Sequence, residues 1–120
     1  VKGLAEVLVV YRLDDLVGPT VVLSAGGVMS ELYGDAAVRL APVNRKTAFE
    51  MIEEVTGLAP IRGYRGMPKG DLDAIADTLV AISQLAFVKR PKLTEAEINP
   101  LIVKEEGKGA VAADGLIVLQ

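Results

Sequence analysis

Three oxygen-bearing side chains near the end of the chain, Glu97, Asn99 and Asp114, have the types and spacing for metal chemistry. Two carboxylates and an amide suit a hard cation. Magnesium takes carboxylate and carbonyl oxygens, uses only one or two carboxylates, and keeps positions for water and nucleotide phosphates. Glu97 and Asn99 lie in the run Glu97-Ile98-Asn99-Pro100-Leu101-Ile102-Val103, and Asp114 lies in the run from Ala110 to Leu119. Between them, Lys104 to Gly109 holds two glycines and four charges, which predicts a β-hairpin with a longer loop. A turn centred between Glu106 and Gly107 sets Val103 opposite Ala110 and Asn99 opposite Asp114.

Residues alternate faces along a strand, so Glu97, Asn99 and Asp114 are expected on one face of the hairpin. The opposite face, expected to meet the core, carries Ile98, Pro100, Ile102, Val111, Ala113, Gly115, Ile117 and Leu119. A slip of one residue would send Asp114 to that other face. The plainer alternative makes Asn99-Pro100 a strand end and Asp114 a bulge before Gly115.

The elements that must position this cluster are legible upstream. Leu4 to Arg12 is rich in β-branched residues and reads as a strand, and Leu13 to Gly18 as a turn built on Asp14 and Asp15. Thr20 to Ser24 is a nearly apolar second strand, expected to be central. Ala25-Gly26-Gly27 follows it, and a glycine pair there is either a turn or a place where backbone N–H groups approach an anion. Ala36 to Pro42 holds a third, short strand.

Arg45 to Thr56 predicts a helix that buries Phe49, Met51, Ile52 and Val55, with Gly57 ending it. Ala59 to Gly70 reads as a loop, in which Arg65 or Arg62 is a candidate phosphate or carboxylate contact. Asp71 should cap a second helix running to about Val88, with Leu72, Ile75, Ala76, Leu79, Ile82 and Leu85 inward. The expected fold class is α+β: an antiparallel or mixed β-sheet with two main helices packed on one face.

Composition narrows the function classes. The 120 residues make one domain with a modest core, and 51% are apolar without any run of membrane-spanning length. A net charge of −3 with no basic tract gives no reason to expect nucleic acid, and no membrane partner is expected. The absence of cysteine rules out disulfides and thiolate chemistry within the chain and fits the cytoplasm. Histidine is absent too, which removes an imidazole base, a zinc ligand and a phosphohistidine. Starting at Val1 and running straight into apolar sequence, residues 1–120 are expected to be one fragment of a larger multidomain protein.

Glu97 to Val103 followed by Gly109-Ala-Val-Ala-Ala-Asp-Gly-Leu-Ile-Val-Leu119 resembles the metal-binding hairpin of ATP-grasp domains. The likeness is to the NDP-forming acyl-CoA synthetases, the group that includes succinyl-CoA synthetase and ADP-forming acetyl-CoA synthetase. Gly18-Pro19, Ala25-Gly26-Gly27, Glu31, Asp35, Arg39-Leu40-Ala41-Pro42 and Gly63-Tyr64-Arg65-Gly66 extend it over nearly the whole chain. The resemblance implies a C-terminal ATP-grasp subdomain in which Asn99 and Asp114 hold the Mg²⁺ of ATP or ADP, with Glu97 in support. It also implies that Glu6, Arg12, Gly26, Gly27 and Arg65 lie near the nucleotide or its phosphates.

The implied reaction is acid + CoA + ATP ⇌ acyl-CoA + ADP + phosphate, through an acyl phosphate and a phosphohistidine. The N-terminal ATP-grasp half and the CoA-binding and phosphohistidine domains would lie elsewhere, in the same chain or a partner subunit. The 120 residues alone are therefore expected to be inactive. One departure stands out: Leu13 occupies the place of an arginine beside Asp14, and Asp15 that of a proline, leaving Arg12 as the nearest cation. Two other readings are a degenerate ATP-grasp regulatory or assembly module, as in synthetase-like proteins fused to an acetyltransferase, and a ligase of another ATP-grasp branch.

Overall fold

Apolar residues on both faces of the first two strands make them the centre of a single sheet. A computed structural model describes residues 3–26 and 35–119, with Tyr64 described by its backbone only. β1 (Ala5–Asp14) turns through Asp15 to Val17, where Asp14 Oδ1 accepts from the Leu16 and Val17 N–H groups (2.8 and 3.0 Å). β2 (Gly18–Ala25) returns antiparallel, and β3 (Ala36–Leu40) pairs with its far side. β4 (Leu93–Val103) pairs with the other side of β1, and in turn carries β5 (Ala110–Ala112) and β6 (Gly115–Leu119). The order is β3-β2-β1-β4-β5, with β6 also on β4 and every pair antiparallel.

Helices α1 (Arg45–Glu54) and α2 (Leu72–Ser83) cover one face. Val7, Val9, Tyr11, Val21 and Leu23 of the sheet are buried in one core with Met51, Ile52, Ile75 and Leu79. A smaller cluster of Leu8, Val10 and Val22 lies on the second face, and no described helix residue joins it. The expected α+β architecture, two helices on one face of a sheet, is therefore the one found. No described helix is long and apolar enough to cross a membrane.

Both helices begin on side-chain caps. Asn44 accepts from the Thr47 N–H (2.8 Å) and Asp71 from the Ala74 N–H (3.0 Å). α1 ends at Glu54 and passes into a 3-10 turn, Thr56–Ile61, so Gly57 is not its terminator. Glycine is required there for space. A Cβ at position 57 would sit 2.6 Å from the Ala25 Cβ and 2.9 Å from Asp35 Oδ2. At the other end of the helix pair, buried Ser83 Oγ accepts from the Val43 N–H (3.0 Å) and donates to the Val80 carbonyl (2.7 Å). Ser83→Ala leaves that buried N–H unpaired, and equilibrium unfolding should show a loss of about 1–3 kcal/mol.

The hairpin's inward face differs from the alternation expected of a regular strand. Val7 pairs with Leu101 and Val9 with Ile98, so Asn99 and Pro100 together stand opposite Leu8. This is a β-bulge, and proline, which has no N–H to give a ladder, is tolerated there. The bulge reverses the alternation. Ala96 and Ile98 face the helices before it, whereas Leu101 and Val103 do so after it. Ile102 is thereby turned to the second face opposite Glu6, taking its partner Val111 with it. Ile117 and Leu119, also expected inward, are 61% and 54% exposed because β6 is an edge strand beyond the helices.

Candidate metal centre on the hairpin

The pairing expected from the turn is the pairing found. Val103 faces Ala110 at the loop end, and Ile98 faces Gly115 beyond the break between β5 and β6. Across that break, the Asn99 N–H donates to the Asp114 carbonyl (3.2 Å) and the Ala113 N–H to the Pro100 carbonyl (3.0 Å). Asn99 and Asp114 are therefore cross-strand neighbours. Glu97 pairs with Leu116 two residues along and shares the second face with Val10. Glu97, Asn99, Asp114, Gly115 and Leu116 line one cleft of about 280 Å³.

The hydrogen bonds leave oxygens available to a ligand. Asn99 Nδ2 is 3.5 Å from Glu97 Oε1, which commits the amide nitrogen and leaves its oxygen as an acceptor. Asp114 Oδ1 accepts from the Gly115 N–H (2.8 Å), leaving Oδ2. Among the described residues no group of three or more His, Cys, Asp or Glu is placed to hold a metal. Two carboxylates and an amide are not a closed cage. They match a cation that draws its remaining ligands from water and phosphate, as Mg²⁺ does.

The other predicted residues spread over the sheet. Arg12 lies on the same second face, opposite Glu95, with Nε 3.2 Å from Glu95 Oε1. Glu6 lies on that face at the far end of β1, and its carbonyl accepts from the Gly26 N–H (2.9 Å). Gly26 has φ +74°, a conformation glycine adopts freely, and Gly27 lies outside the described residues. Arg65 sits in the short turn Tyr64–Gly66 with left-handed backbone angles (φ 47°, ψ 46°). The segment that follows it docks on the hairpin loop, remote from Asn99 and Asp114. Arg62, the alternative to Arg65, instead ties down the end of α1: its Nη1 donates to the Ile52 and Val55 carbonyls (3.0 and 2.9 Å).

Two features escaped the reading of the sequence. The Arg12–Glu95 pair depends on strand order, which no local pattern reveals. The bulge had a signal, a proline inside a strand, but the signal does not say which later residues change face.

The family described as the ATP-grasp domain matches residues 1–119. Acetate–CoA ligase [ADP-forming] I of Archaeoglobus fulgidus is 38% identical over 111 residues, which is 92% of this chain and 16% of the relative. The beta subunit of acetate–CoA ligase [ADP-forming] II of Pyrococcus furiosus is 31% identical over 115 residues, covering 96% of this chain and 49% of that subunit. Among solved structures, the dinucleotide-forming acetyl-coenzyme A synthetase 1 of Ca. Korarchaeum cryptofilum, in complex with coenzyme A and Mg-AMPPCP, superposes with a TM-score of 0.87. It is 32% identical, and the match covers all of this chain and 55% of the other. The chain thus spans from about a sixth to about half the length of these relatives. With its six-stranded antiparallel sheet, helices on one face and a carboxylate–amide hairpin, the chain belongs to the ATP-grasp domain family and is homologous to the ATP-grasp part of ADP-forming acetyl-CoA synthetases.

Proposed function

We propose that this chain supplies the Mg²⁺ hairpin and one wall of the nucleotide cleft of an NDP-forming acyl-CoA synthetase, which converts acid, CoA and ATP to acyl-CoA, ADP and phosphate. One observation carries the reading: Asn99 faces Asp114 across the hairpin, with Glu97 beside them in one cleft, in a chain homologous to such ligases. When bound, Mg²⁺ neutralises phosphate oxygens and offsets charge that develops during phosphoryl transfer. The chain's own residues do the positioning. Asn99 offers a neutral amide oxygen, Asp114 a carboxylate oxygen, and Glu97 fixes the orientation of the Asn99 amide.

Arg12 shares this face and is the nearest described cation along β1, so it is assigned to the phosphate region despite its pairing with Glu95. Glu6 and Gly26 are assigned to the opposite edge of the nucleotide cleft, and Gly27, which lies outside the described residues, is assigned the same role. Arg65 is assigned a phosphate-proximal role that requires its turn, Tyr64–Gly66, to approach the cleft in the assembled enzyme. CoA binding, the phosphohistidine and the other ATP-grasp half belong to further domains, in the same chain or a partner subunit. The setting is the cytoplasm.

The test is an assay of the full-length protein that carries this chain, with MgATP, CoA and a panel of carboxylic acids. ADP and phosphate should form only when acid, CoA and Mg²⁺ are all present. Nucleotide binding without turnover on any acid would replace this reading with the regulatory module.

A further inference from the structure

The metal pair works only in one register, yet the second arm of the hairpin does little to hold it. β5 is three residues long, the ladder breaks at Ala113 and Asp114, and the four apolar side chains of β6 are 39–61% exposed. A strand buried on neither face does not resist slippage, and one residue of slip moves Asp114 off the metal face. The turn closes on its own bonds, from the Lys104 N–H to the Gly109 carbonyl (3.0 Å) and from the Lys108 N–H to the Glu105 carbonyl (2.9 Å), yet it is largely exposed and its two glycines both have positive φ (85° and 81°). An anchor outside the hairpin keeps it in that shape.

That role falls to Asp71, whose carboxylate is used from both sides. Oδ1 caps α2 through the Ala74 N–H, while Oδ2 accepts from the N–H groups of Gly107 (3.2 Å) and Gly109 (2.7 Å). The Asp71 N–H donates to the Lys104 carbonyl (2.8 Å), and the Glu106 N–H to the Lys69 carbonyl (2.8 Å). Asp71 is 9% exposed, so these are charge-assisted bonds in a largely dry setting, the stronger kind. The exposed Lys69–Glu106 pair (3.3 Å) adds little by comparison. Four backbone groups of the loop are thus tied to residues 69–71.

We propose that Asp71 is a positioning residue: by anchoring the hairpin loop to the start of α2, it sets the register that holds Asn99 opposite Asp114. This deepens the metal reading above and rests on it. Nothing at Asp71 touches the cleft; its effect travels along β4 and β5.

The test uses the full-length protein and two variants. Asp71→Ser retains a good helix cap but has one oxygen, which cannot serve both the cap and the loop. Asp71→Asn keeps the shape and loses the charge. In metal-free protein, hydrogen exchange followed by mass spectrometry should show the amides of residues 97–115 exchanging at least about tenfold faster in both variants. Peptides from β3 and its partner residues in β2 should be unchanged, because the β2–β3 ladder has no partner in the hairpin. Unchanged hairpin exchange in both variants, or equal acceleration across the whole domain, would overturn the positioning role.

A second arm compares the Mg²⁺ concentration for half-maximal ADP formation in Asp71→Ser and Asp114→Asn. Both should need several-fold more Mg²⁺, with maximal turnover of Asp71→Ser less affected than its Mg²⁺ requirement. An altered Asp114→Asn beside an unaltered Asp71→Ser would defeat the positioning role alone. An unaltered Asp114→Asn would defeat the metal reading and the proposal with it.

Discussion

Asp114→Ala in the full-length protein is expected to lower ATP-dependent acyl-CoA formation by at least about 100-fold while leaving the fold intact. The magnitude follows from what a direct ligand does. Loss of even a supporting partner around a metal costs roughly 10–100-fold in affinity, and a direct carboxylate ligand carries more. The fold is expected to survive for a separate reason. The exposed Asp114 side chain accepts from its neighbour Gly115, whereas its cross-strand bond to Asn99 uses the backbone carbonyl, which alanine retains. Steady-state acyl-CoA formation and circular dichroism of the same preparation check both halves. Turnover close to wild type at ordinary Mg²⁺ would show that the cation of the nucleotide is held elsewhere.

The pairing of Asn99 with Asp114 was legible in the sequence because it follows from counting outward from a turn. Two apolar arms and a charged, glycine-containing loop fix where the count begins, and backbone pairing carries it along. The same local logic found both helix starts, Arg45 from the apolar period that follows it and Asp71 as a cap, while the Asn44 cap went unread. What local patterns could not supply was anything set by a distant neighbour. Gly57 looked like a helix terminator and is instead a close-approach site against Ala25 and Asp35. Arg62, a candidate phosphate or carboxylate contact alongside Arg65, donates to two carbonyls at the end of α1, one of them ten residues back along the chain. Asp71 was legible as a cap through its first oxygen, but the partners of its second lie more than thirty residues away.

The face of the hairpin failed for a related reason, and it yields the second prediction of large effect on activity. Alternation assumes one residue per step on both strands, and at Leu8 the count is one against two. Deleting Pro100 removes the extra residue. Val9 then faces Ile98, Leu8 faces Asn99 and Val7 faces Leu101 without interruption, so Leu101 and Val103 stay in the core and the fold is expected to survive. The cost falls on the other edge of β4, where Asn99 bonds Asp114, Pro100 bonds Ala113 and Leu101 faces Ala112.

With Pro100 gone, Ala113 has no partner residue on β4. If the loop end keeps Leu101 opposite Ala112, Ala113 moves opposite Asn99 and Asp114 leaves the metal face. ADP formation by the full-length protein should then fall at least about 100-fold, as for loss of the Asp114 carboxylate, while hydrogen exchange of the β1 and β2 amides stays close to wild type. Turnover close to wild type after the deletion would mean that the pairing of Asn99 with Asp114 is not what positions the metal.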